Sequence, residues 1–104
     1  MSDARLEQFK QMVAEFPDAP MAHFSLGKAW LEGRRYAEAV QSLETAVRLD
    51  PHYAAALVSL GDAYIGAGQT PKAREVLTRA RDTALAQSHA SLAEEIEERL
   101  SGLE

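Results

Sequence analysis

Apolar residues recur along this chain at intervals of three and four, and the pattern itself repeats after 34 residues. Aligned without a gap, residues 20–53 and 54–87 share eight identities: Ala22/Ala56, Ser25/Ser59, Leu26/Leu60, Gly27/Gly61, Ala29/Ala63, Ala39/Ala73, Leu43/Leu77 and Ala46/Ala80. Most are apolar or small, as a shared packing pattern requires. Spacings of three and four place side chains on one face of a helix. Phe24, Leu26, Trp30 and Leu31 therefore predict a helix over about 20–32. Pro20 suits its first turn and Gly33 its stop. Val40, Leu43, Ala46, Val47 and Leu49 predict a second helix over about 36–49, ended by Asp50-Pro51 because a residue before proline avoids the α region. The second unit copies the first. Leu57, Leu60, Ala63 and Tyr64 mark a helix over about 53–65, broken by Gly66-Ala67-Gly68. Thr70 is the expected N-cap of the next helix, with Pro71 in its first turn and Ala73, Val76, Leu77 and Ala80 along its stripe.

The same frame reaches both ends of the chain. Leu6, Phe9, Met12, Val13 and Phe16 form a stripe, and Phe9, Met12 and Pro17 stand 34 residues before Leu43, Ala46 and Pro51. Residues 1–19 thus read as the second half of an incomplete repeat. Leu92, Ile96, Leu100 and Leu103 keep the helical period through 88–104, where Glu95 takes the glycine's place. That segment is expected to be a polar capping helix, since stacked repeats need a solvated end. The whole chain is then one domain: half repeat 1–19, repeats 20–53 and 54–87, and cap 88–104.

Gly27 and Gly61 stand in mid-helix, where glycine costs about 1 kcal/mol against alanine. Close helix–helix approach would account for them, since small contact residues shorten the distance between axes. Ala39 and Ala73 are the expected facing residues, with Leu43 and Leu77 filling the space beside them.

These residues resemble the tetratricopeptide repeat (TPR) family, whose pattern has an aromatic, Leu-Gly, Tyr, and later Ala, an aromatic and Pro. Leu26-Gly27, Trp30, Ala39, Leu43, Ala46 and Pro51 fit the first repeat; Leu60-Gly61, Tyr64, Ala73, Leu77 and Ala80 fit the second. His23 and Leu57 replace the leading aromatic, and Leu43 and Leu77 the later one. Leu85 stands at the closing proline, which predicts a longer fifth helix. The resemblance implies an all-α fold: a right-handed TPR-type helical solenoid of antiparallel helix pairs, about six helices in all. It also implies a protein–protein interaction module with a concave groove lined by the first helix of each pair. The positions that map there are Met21, Phe24, Lys28, Leu31 and Glu32 from one repeat and Ala55, Val58, Asp62 and Ile65 from the other. This mainly apolar set suits a peptide or helical segment of another protein. One TPR subclass grips acidic chaperone C-termini with basic residues on these helices. Here only Lys28 is basic at the relevant places, and Asp62 would repel a carboxylate.

Composition narrows the classes. The chain has 104 residues, 46% of them hydrophobic and 26% charged, as in ordinary globular domains. Ala (19) and Leu (12) favour helix. There is no cysteine, which removes disulfides and thiolate metal sites. Sixteen acidic residues against eleven basic ones give −5, which disfavours nucleic-acid binding. No apolar run approaches the roughly 18 residues of a membrane span, and the opening lacks the basic start and apolar stretch of a signal peptide. The expected location is therefore the cytoplasm, with no membrane insertion. His23, His52 and His89 lack the i, i+4 spacing of a helical metal pair, and no phosphate loop or nucleophile motif occurs. The expectation is a non-enzyme with no catalytic residues, metal or cofactor. Glu94, Glu95, Glu97 and Glu98 read as the solvated face of the cap. The alternative function is self-association, a homodimer through the terminal helices, because Leu6, Phe9 and Phe16 would lack the helix that normally covers them.

Overall fold

Turns of three or four residues leave no room to cross over, so each helix folds back against the last. The computed structural model describes residues 3–103 and holds six α-helices: α1 (Asp3–Glu15), α2 (Pro20–Glu32), α3 (Tyr36–Leu49), α4 (Ala54–Gly66), α5 (Thr70–Ala86) and α6 (Ala90–Ser101). No strand occurs among the described residues. The outermost positions of the expected half repeat (residues 1–2) and cap (residue 104) lie outside them.

Three of the turns use one device. After α2, Arg35 N–H donates to the Trp30 carbonyl (2.9 Å) and Arg34 N–H to that of Leu31 (3.0 Å). The same pair of bonds follows α4, from Gln69 to Tyr64 and Gly68 to Ile65, and α5, from His89 to Ala84 and Ser88 to Leu85. This double cap places one residue in the left-handed region: Arg34 (φ 59°), Gly68 (φ 77°) and Ser88 (φ 62°). Gly33, the expected stop, has φ −84°, so the left-handed role falls on Arg34. Likewise Gln69 is the N-cap of α5, and Thr70 is its first helical residue with no capping side-chain bond. The turn after α3 differs: Asp50 is extended, and its carboxylate accepts the His52 N–H at 3.1 Å.

Packing follows the small residues. A methyl placed on Gly27 would lie 2.5 Å from Leu43 Cγ, and one on Gly61 2.5 Å from Leu77 Cδ2. Leu43 and Leu77 therefore sit directly over the glycines, whereas the sequence had suggested Ala39 and Ala73 there. Those alanines, with Ala46 and Ala80, are fully buried along the same seams. The Tyr36 ring covers Gly66 in the same way, joining the start of α3 to the end of α4. The core is built around α4, whose Leu57, Leu60, Ala63 and Tyr64 are buried against α3 and α5. No polar or charged residue is buried among those described.

The repeat changes phase at its end. Without a proline at position 85, α5 continues to Ala86, three residues past the point matching Leu49. As a result α6 begins 36 residues after α4, and its buried Ala93 and Ile96 stand 36 after Leu57 and Leu60. The glycine position is then occupied by Glu97, not Glu95. No helix packs over it among the described residues, so a long side chain fits, and Glu97 accepts from Arg81 Nη1 at 3.1 Å.

Candidate binding groove

The helix hairpins do not stack as a flat wall. α2 touches α4 directly, whereas α3 and α5 stand apart across a cleft. The array therefore curves with α2, α4 and α6 inside. Arg99 on α6 closes this inner side, donating Nε–H to the Asp62 carboxylate of α4 at 3.0 Å.

The nine sequence-derived positions lie on α2 and α4, with unequal access. α2 and α4 run in the same direction, so Met21 and Ala55 stand near one end of this helix pair and Leu31, Glu32 and Ile65 near the other. Met21 is 68% exposed and Ile65 39%, both large for apolar side chains without a partner. Beside Met21 lies a hollow of about 330 Å³ walled by Pro20, Asp50 and Tyr53. Ala55, Lys28 and Glu32 are open. Phe24 and Leu31 are half-buried and pack on the core. Val58 is only 9% exposed and is part of the core itself.

Aromatic and charged contacts shape the groove further. The Phe24 ring meets that of Tyr53 at 5.0 Å and 46°. Burial, with Asp50 adding to it, holds the Tyr53 phenol above its ordinary pKa. Lys28 Nζ lies 5.6 Å from the centre of the Phe24 ring. Glu32 is paired with Arg5 of α1 at 3.5 Å. Asp62 is neutralised by Arg99, a partner that sequence spacing could not reveal because 37 residues separate the two. Tyr53, at the α3–α4 turn, was also missed; its aromatic character before a helix start was the available signal.

The histidines are structural or solvated. His23 makes a 2.7 Å contact from Nε2 to the Pro17 carbonyl and so ties α2 to the preceding turn. No group of three potential metal ligands occurs among the described residues, and no helix is long and apolar enough to cross a membrane. Of the α6 carboxylates, Glu97 is engaged by Arg81, while Glu94, Glu95 and Glu98 are exposed.

The chain belongs to the tetratricopeptide-repeat family: one family model of that description matches residues 31–95 and another residues 6–54. Proteins of this family form right-handed helical solenoids and serve as interaction modules rather than catalysts. Among solved structures, the chain is similar to the TPR2B domain of yeast Sti1, described in complex with pHsp70 (TM-score 0.89, 20% identity, covering 94% of this chain and 78% of that one). It is also similar to protein BPP2914 from Bordetella parapertussis (TM-score 0.83, 26% identity, covering 98% and 89%). No curated protein matches it.

Proposed function

We propose that the inner face of α2 and α4 binds an apolar or amphipathic segment of another protein. The observation that carries this reading is the pair of exposed apolar side chains, Met21 and Ile65, at opposite ends of one curved face. Burying such side chains yields about 25 cal/mol per Å² of apolar surface, before the cost of ordering the partner. Leu31 and Phe24 supply a half-open apolar floor between them. The fold shared with a Sti1 domain described in complex with pHsp70 is consistent with a protein guest. An acidic tail fits less well. Arg99 is already paired with Asp62, so Lys28 is the one basic residue among the nine positions left to meet a carboxylate.

The test compares proteins captured from lysate by the wild type and by Met21→Glu, Ile65→Glu. Both sites are exposed, so the variant should fold normally by circular dichroism. Loss of a captured protein supports the groove; an identical set with both baits overturns it. A second reading, self-association through α1 and the turn after it, rests on Met12 (36% exposed) and Phe16 (57%); Leu6 and Phe9, expected to be uncovered with Phe16, are half-buried. A solution mass of two chains, reduced to one by Met12→Glu, would favour it.

A further inference from the structure

The outer side of the array holds a second, independent feature. Between α3 and α5 lies a cleft of about 650 Å³, floored by Leu60, Tyr64, Val47 and Val76. Its rim is charged in an ordered way. Tyr64 donates its hydroxyl to Glu44 at 2.6 Å, and the Lys72 ammonium lies 5.8 Å from its ring centre. Glu44 and Lys72 therefore share one end of the cleft. α3 and α5 run in the same direction, so Arg48 and Arg79, each further along its helix, line the other end together with Pro51.

The distribution of cations singles this place out. Eleven Lys and Arg residues occur in a chain of net charge −5. Six of them make no ion pair among the described residues: Lys28, Arg34, Arg48, Lys72, Arg74 and Arg79. Three of those six line this one cleft. Two guanidiniums without a carboxylate partner, beside an apolar floor, form a surface complementary to an anion attached to an apolar group.

We propose that this outer cleft is a second docking site, which takes a short acidic segment of a partner protein with its carboxylates at Arg48 and Arg79 and an apolar side chain on the Leu60–Val76 floor. Glu44, one helical turn before Arg48, and Glu75, one turn before Arg79, repel a carboxylate on that side, which sets the direction in which the segment lies. Lys72 offsets only one of these two carboxylates, so that part of the cleft keeps a net negative charge. The site is separate from the inner groove, so one chain could hold two segments at once.

The probe is a fluorescein-labelled peptide, Leu-Glu-Glu-Leu-Leu-Glu-Glu, titrated by fluorescence anisotropy. The wild type should bind it. Arg48→Glu, Arg79→Glu should weaken binding by about tenfold or more, and the affinity should fall with added salt. Lys10→Glu, Arg34→Glu, an equal charge reversal away from both faces, should bind as the wild type does. Peptides with Gln for every Glu, or Ser for every Leu, should each bind more weakly. No binding by the wild type, equal binding by the outer variant, or an equal loss in the Lys10→Glu, Arg34→Glu variant would overturn the proposal. So would undiminished binding of the Ser peptide, which would reduce the cleft to a plain charge attraction. If the double Glu variant fails to fold, Arg48→Gln, Arg79→Gln gives the same comparison without charge reversal.

Discussion

Replacing Gly61 by alanine sets two effects against each other. Helix propensity favours alanine by about 1 kcal/mol. Against it, the new methyl would lie 2.5 Å from Leu77 Cδ2, 2.6 Å from Cγ and 3.3 Å from Cδ1. Carbon atoms in contact prefer roughly 3.5–4.0 Å, so Leu77 must retreat by about 1 Å. Leu77 is fully buried, with Ala73, Ala80 and Leu57 also buried in the same core, and its branch point is among the clashing atoms. A rotamer change of the side-chain tip cannot relieve that. Overpacking costs about 1–3 kcal/mol, and because the branch point itself clashes, the upper part of that range, about 2–3 kcal/mol, applies; less the propensity gain, the net loss should be about 1–2 kcal/mol. For a domain of this size the melting temperature should fall by about 4–10 °C. The assay is urea unfolding followed by circular dichroism, read at an unchanged slope so that the midpoint reports stability. Leu77→Ala alone should cost about 2–5 kcal/mol, and appreciably less when introduced into Gly61→Ala, because the methyl then fills space the leucine left. A Gly61→Ala protein as stable as the wild type, or more so, would refute the close-approach account of the glycine.

Arg34→Gly should raise stability by about 0.5–1 kcal/mol, because Arg34 holds a left-handed backbone (φ 59°) that glycine adopts without penalty and its side chain makes no ion pair; the urea midpoint checks this, and a lower midpoint would count against it. The Tyr64 phenol is pushed up to about 12, first by burial and then by its hydrogen bond to Glu44 and the nearby charges of Glu44 and Glu75. The folded state thus keeps this proton above pH 10, where the unfolded chain loses it, so stability is complete below pH 10 and falls between about pH 10 and 12. The difference in unfolding free energy between wild type and Tyr64→Phe should shrink over that range; a pH-independent difference would show that Tyr64 carries no such linkage.

How far the site could be read from the chain depended on the kind of contact. Met21 and Ile65 were picked out through the family resemblance, which maps the first helix of each pair to a groove, and both side chains are exposed. The burial of Val58 was not legible, because it depends on the packing of the neighbouring helices and not on its own period. Asp62 reads in the sequence as a free negative charge, and its partner Arg99 stands 37 residues away on α6. The outer cleft was invisible. Glu44, Arg48, Lys72 and Arg79 are ordinary surface charges on two separate helices, and their grouping follows from the spacing between α3 and α5.

The sequence by itself determined what is local or strictly repeated: the helices, their antiparallel pairing through short turns, and the glycines at the crossings. Those follow from the 3.6-residue period, proline and glycine chemistry, and a 34-residue repeat that asks for the same packing twice. The tertiary structure decided what depends on the sum of small displacements. Three added residues in α5 moved the phase of α6 by two, so Glu97 rather than Glu95 took the glycine's place. The curvature of the stack brought α2 to α4 while parting α3 from α5. That curvature makes one groove inside and one cleft outside, and no single residue encodes it.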